Sequence, residues 1–250
     1  VLEQRFNLDK PVPEQFVLYM NNLLHGDFGI STKTGRDIKT TIFSSFAVSA
    51  RLGGQAIVVA VIIGVVLGSI AALNRNGFLD RLIIFLSTLF TSLPSFVFAF
   101  CIKLQWIPSW SPESPNYILP VIALSASPMA YITRLTKTSM LDALGQDYVR
   151  TAKAKGVARW KIIFKHTLRN AMIPVITYVG PMTAYILTGS LVVERIFTIG
   201  GLGAKFVDCI INRDYPMIMG TTIFLATLMI TMNLITDIVY KIVDPRIKLD

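Results

Sequence analysis

An all-α, polytopic membrane protein is the fold class this chain predicts, and three observations carry it. Of its 250 residues, 53% are hydrophobic and only 16% charged, more apolar surface than a soluble domain of this length needs. The apolar residues gather into continuous runs near 52–73, 82–102, 118–133, 171–193 and 216–240. Most approach the ~20 helical residues that cross a ~30 Å hydrocarbon core. The runs do not alternate, as the strands of a membrane barrel would. Third, the net charge of +9 is unevenly placed. Residues 134–169 hold nine basic side chains (Arg134, Lys137, Arg150, Lys153, Lys155, Arg159, Lys161, Lys165, Arg169) against Asp142 and Asp147.

Taken in order, 1–48 is a mixed polar segment whose stretch GDFGISTKTGRDI (26–38) has turn-marking glycines. The first span carries Ala60, Gly64, Gly68 and Ala72, a small residue at every fourth position. Such a stripe admits a second helix at close range, a main source of association in lipid. The second contains Pro94, which removes a backbone hydrogen bond and predicts a kink. Trp106 and Trp110 follow in a connection suited to an interfacial aromatic belt. The short third run leads into the basic stretch, and the fourth continues past Pro174 to AYILTGSLVVERIF (184–197). The segment 198–216 reads as an outer loop or re-entrant segment before the last span.

The basic stretch, the turn flanked by Arg75 and Arg81, and the tail with Lys241, Arg246 and Lys248 fall on one side if five spans alternate. The positive-inside rule makes that side the cytoplasm, placing the C-terminus inside and 1–48 outside. Val1 to Phe16 reads as an interior segment, so an upstream span that makes the number even is expected. The distribution of charge argues against nucleic acid as the partner. Cys101, Cys209, His25 and His166 are isolated and show no metal-ligand spacing. The GGLG at 200–203 lacks the GxxxxGK[ST] spacing of a phosphate cradle, and no P-loop stands elsewhere in the chain. The chain is therefore expected to have no ATPase site of its own.

Residues 147–174 combine seven Lys or Arg with apolar flanks. Asp147 to Lys155 suits a helix with its acid in the first turn and Lys153 and Lys155 in the last, and Gly156 suits a left-handed C-terminal turn. In a second helix, Trp160, Ile163, Phe164, Thr167 and Leu168 fall on one face and Lys161, Lys165 and Arg169 on another. One helix lies against the membrane; the other presents Tyr148, Thr151 and Ala152 to the cytosol as a docking knob. A basic interfacial helix drawn to anionic lipid explains the same pattern.

This segment resembles the cytoplasmic coupling loop of ABC importer permeases, whose general pattern is Glu-Ala-Ala, three residues, then Gly. Arg150-Thr151-Ala152 and Gly156 occupy those positions, with the Glu and first Ala replaced. DYVRTAKAKG (147–156), His166 to Asn170 and AMIPV (171–175) resemble the oligopeptide, dipeptide and nickel branch. So do GDFGIS (26–31), LPSF (93–96), YITRLTKTSMLDAL (131–144), VVERIFTIGGLG (192–203) and DPRIK (244–248), in the family's order.

The resemblance implies the transmembrane domain of a type I ABC importer and a first permease subunit, 1–250 forming one permease domain without its first span. It implies a multi-pass protein of a bacterial or archaeal cytoplasmic membrane. Its partners would be a second permease subunit, two ATP-binding subunits that hold ATP and Mg, and an external peptide-binding protein. The coupling loop would span 134–170, with Asp147, Tyr148, Thr151, Ala152, Lys155 and Gly156 as linkage. Thr188, Ser190, Asn233 and Asp237 are candidates for the translocation path, since polar groups in lipid face the protein interior or a cavity; each also reads as an interhelical hydrogen bond. The alternatives are a nickel or metal-chelate importer and, from another class, an ATP-independent secondary transporter, which would show internal repeats and midplane charges.

Overall fold

The computed structural model describes residues 10–94, 97, 116–187 and 191–243. A short helix α1 (Val12–Leu24), with no buried residue, leads into a turn built on Gly26 and Gly29. Helix α2 (Ile38–Leu73) starts at Asp37, whose carboxylate accepts the Thr40 backbone N–H at 2.7 Å and caps an orphan donor of the first turn. At 1.5 Å per residue its 36 residues run about 54 Å, well beyond a ~30 Å hydrocarbon core. The segment expected to be an extracellular stretch over 1–48 is thus already helical from Ile38. The polar Thr, Ser and Arg side chains of 39–51 hide a buried stripe, Ile38, Ile42, Ser45, Ser49 and Leu52, that continues into the apolar run.

After a turn with Asn76 in the left-handed region, α3 (Phe78–Ser92) begins. It ends one residue before Leu93, which is extended because the following proline disfavours helical geometry there. The regular winding of this helix therefore stops just before Pro94. The rest of the second expected span, with Cys101, and the connection with Trp106 and Trp110 lie outside the described residues apart from position 97 and the end of that connection.

Helix α4 (Ile118–Gly145) carries Pro128 internally and is much longer than the run at 118–133. Its polar half stays helical because Thr133, Thr136, Met140 and Ala143 continue its buried face. The loop expected over 134–170 is accordingly narrower: a helix occupies its first twelve positions, and another its end. Helix α5 (Asp147–Ala154) follows after Gln146, then α6 (Arg159–Leu187), whose stretch Ile162–Leu168 is wound as a π-helix. Two short helices, α7 (Leu191–Ile196) and α8 (Leu202–Ile211), and the long α9 (Tyr215–Val243) complete the described chain.

Among the described residues, Ile38–Leu73, Ile118–Gly145, Arg159–Leu187 and Tyr215–Val239 are long and apolar enough to cross a membrane. The main core joins Leu52, Ala56 and Ala60 of α2 to Leu124 and Ile132 of α4, and to Val175, Met182 and Ile186 of α6. A second cluster, Ile38, Ile42, Leu202 and Met217, closes one end. A third, Ala72, Met140 and Ala171, closes the other.

Candidate functional site

Helix α5 is a single short helix held at one end of the bundle. Its start is tied by the Thr151 hydroxyl, which donates to the Asp147 carbonyl at 2.9 Å, and by an exposed Arg150–Asp147 pair at 3.6 Å. Its end is a Schellman turn: the Val157 N–H donates to the Ala152 carbonyl at 3.1 Å and the Gly156 N–H to the Lys153 carbonyl at 3.0 Å. Gly156 takes φ +72° to make that turn. A Cβ there would meet no atom within 4 Å, so the glycine is required by backbone conformation and not by crowding.

The helix is fastened through its apolar side. Val149, fully buried, and Ala152, 8% exposed, pack on Ile162 of α6 with Val157 alongside. This corrects the placement of Ala152 as a cytosol-facing residue: its small side chain serves close packing against the foot of α6. Asp147, Tyr148, Thr151, Lys155 and Gly156 remain exposed, joined by Arg150, Lys153 and Ala154. The predicted face of the next helix is also redistributed. Trp160 and Phe164 are outward while Thr167 is fully buried with Ile162, because the wider π winding shifts the i, i+4 register.

At the same end of the bundle, Asp80 of α3 is buried and pairs with Lys137 of α4 at 2.5 Å while accepting the Asn76 N–H at 2.9 Å. This links the turn between α2 and α3 to the polar half of α4.

The small-residue stripe lies where α2 and α4 approach closely. A Cβ on Gly64 would stand 2.8 Å from Ile132 Cγ2, and one on Gly68 2.5 Å from the Thr133 carbonyl oxygen. Ala60 and Ala72 are buried on the same face. Of the translocation candidates, Thr188 and Ser190 lie outside the described residues. Asn233 and Asp237 are exposed, one turn apart on α9, whereas the intervening Thr236 is buried against Gly180 of α6. The two described candidates, Asn233 and Asp237, thus lie on the exposed side of α9.

Two buried carboxylates that sequence reasoning did not single out organise the opposite end. Glu194 of α7, 1% exposed, accepts the Ser49 hydroxyl at 2.7 Å and the Ala204 N–H at 3.0 Å, while Ser49 Oγ accepts the Leu202 N–H at 2.8 Å. The GGLG segment is thus a cradle for a carboxylate of the chain itself. Asp214, between α8 and α9, accepts the Ser31 hydroxyl and the Thr32 hydroxyl and N–H, docking the GDFGIS loop. An acid inside VVERIFTIGGLG, between an apolar run and three glycines, was the available signal for the first. In α8, burial, reinforced by Asp214 and Asp208, pushes the Cys209 thiol up to about 11, so it is protonated at neutral pH.

The family described as binding-protein-dependent transport system inner membrane component matches residues 64–249. The chain is 48% identical over 256 residues to the dipeptide transport system permease protein DppB of Bacillus subtilis (strain 168), covering 99% of this chain and 83% of that one. It is 42% identical over 257 residues to the oligopeptide transport system permease protein OppB of Haemophilus influenzae, covering 99% and 84%. The inward-facing MetNI methionine ABC transporter shares the fold at a TM-score of 0.68 and 14% identity, over 81% of this chain and 96% of that one. With that coverage, and with the fold of a type I ABC importer transmembrane domain, the chain belongs to the binding-protein-dependent transport system inner membrane components.

Proposed function

We propose that this chain is the first membrane subunit of an importer of dipeptides or oligopeptides. It works beside a second permease subunit, with two cytosolic ATP-binding subunits that hold ATP and Mg and an external peptide-binding protein. The observation that supports this best is identity of 48% to a dipeptide permease along 99% of the chain, the α5 segment included. In this reading the C-terminus and α5 are cytoplasmic. The chain supplies the path and the mechanical linkage, and the partners supply hydrolysis.

The linkage follows from how α5 is mounted. Val149 and Ala152 tie it to the foot of α6, and Ala171 of α6 packs with Ala72 of α2 and Met140 of α4. A displacement of α5 by a closing ATPase pair is transmitted to the long helices because packed cores shift between discrete arrangements instead of deforming smoothly. ATP acts as the switch only through its different affinity for the two states of the assembly.

Gly156→Val tests this assignment. An L-residue in the left-handed region costs about 1–2 kcal/mol, and a β-branched side chain is a genuine outlier there. In the reconstituted transporter, ATP-driven uptake of a labelled dipeptide is expected to fall about tenfold or more, with weaker retention of the ATP-binding subunits. Gly156→Asn, which tolerates positive φ, should keep most of both. Wild-type uptake and subunit retention in the valine variant would remove α5 from the coupling role.

A further inference from the structure

A cleft of about 500 Å³ opens where α5 meets the ends of α2, α4 and α6. Its walls are apolar, with Ala72 of α2, Leu144 of α4 and Ile163 of α6 beside Val157, and two cations, Lys153 and Arg159, line it as well. Both cations are exposed, and neither belongs to an ion pair among the described residues. The volume is in the range of ligand pockets. A greasy interior with two uncompensated positive groups suits a molecule with an apolar body and a phosphate, and suits free phosphate poorly.

The place of the cleft relative to the bilayer narrows the occupant. Ala72 and Leu73, the last residues of the apolar run of α2, line it, so the cleft lies where α2 leaves the hydrocarbon, beside the stretch on which α6 starts. Trp160 and Phe164 are 62% and 63% exposed on that stretch, and the Lys161 ammonium sits 5.5 Å from the Trp160 ring centre. Exposed aromatics beside lysines at a span's end mark the headgroup level, where basic pockets between helices hold anionic lipid.

We infer that this cleft binds an anionic phospholipid, its phosphate between Lys153 and Arg159 and the upper part of its acyl chains along Leu144, Val157 and Ile163. A lipid seated there touches α2, α4 and α6 together with the turn that ends α5, and so stiffens the mounting of the knob. The inference uses the membrane placement of the family and not the peptide cargo.

The test is native mass spectrometry of the complete transporter, ATP-binding subunits included, equilibrated with equal amounts of phosphatidylglycerol and phosphatidylcholine of identical chains. The wild type is expected to retain phosphatidylglycerol at least fivefold over phosphatidylcholine. Lys153→Gln/Arg159→Gln should bring the ratio near one in the complexes that assemble, and Arg159→Gln alone, outside α5, should lower it with assembly intact. Lys165→Gln, which removes a charge from the same helix outside the cleft, should leave the preference in place, and Lys153→Arg should preserve it. Equal retention of the two lipids by the wild type, or an unchanged preference in the double variant, would overturn the proposal. So would loss of the preference whenever the ATP-binding subunits are present, since that would make them the occupant of the cleft. A failed transport assay with an intact lipid preference would count against the peptide reading alone.

Discussion

Gly68→Leu is expected to leave almost no monodisperse protein after extraction in detergent. The backbones of α2 and α4 approach so closely at this point that even a Cβ would stand 2.5 Å from the Thr133 carbonyl oxygen and 2.6 Å from Thr136 Cβ. The first obstacle is backbone and cannot rotate away, so the helices must separate. Overpacking of a filled interior costs about 1–3 kcal/mol, occasionally more; a leucine here also opens the contacts that Gly64 makes one turn away with Ile132. Gly68→Ala should therefore lower the thermal midpoint, and Gly68→Leu should abolish the cooperative transition. Gly54 lies on the same helix with open space around its Cβ position, and Gly54→Ala should be neutral or slightly stabilising through helix propensity. A wild-type midpoint for Gly68→Leu would mean that the stripe is not the packing face between α2 and α4.

Glu194→Ala is expected to loosen the end of the bundle opposite α5 and to depress transport strongly. The carboxylate is the acceptor for both the Ser49 hydroxyl and the Ala204 N–H, and Ser49 in turn accepts the Leu202 N–H. Truncation leaves two buried donors without their partner, at about 1–3 kcal/mol each. It also opens a void beneath Gly201 and Gly203, whose missing side chains make room for the carboxylate. Glu194→Gln keeps one acceptor oxygen and should fall between. Hydrogen exchange at the amides of Leu202 and Ala204 reads this directly: faster exchange in the alanine variant, and partial protection with glutamine. Unchanged protection would show that α8 is held by its contacts with Ile38, Ile42 and Met217 and not by the carboxylate.

Much of this arrangement was legible because membrane helices announce themselves by uninterrupted hydrophobicity and glycine announces positive φ. The stripe of Ala60, Gly64, Gly68 and Ala72 reads as a packing face from its four-residue spacing, and the Gly156 turn reads from a lysine-rich helix end followed by glycine. The extents of the helices were harder. Helix α2 begins at Ile38 because isoleucines and serines at three- and four-residue spacing are buried, while the intervening threonines, serines and Arg51 lower the local hydropathy. Helix α4 outlasts its apolar run for the same reason.

Ala152 was misread because a small side chain fits an exposed apex and a tight interior equally well in sequence. Only the position of Ile162 decides between them. Thr167 departs from the face expected to hold Trp160 and Phe164 because a π-helical stretch breaks the 3.6-residue period on which the prediction rested. Glu194 and Asp214 were passed over since their partners, Ser49 and Ser31, lie 145 and 183 residues away in the chain, a distance over which no local pattern operates.

The most direct test of the account is uptake by liposomes that hold the full-length protein with its partner subunits, the external binding protein outside and ATP enclosed or omitted. Labelled dipeptides and short oligopeptides are offered beside nickel ions. The account predicts peptide accumulation that requires enclosed ATP. Nickel accumulation without peptide uptake would contradict the cargo, and peptide uptake indifferent to ATP would contradict α5 as the element through which hydrolysis drives the permease.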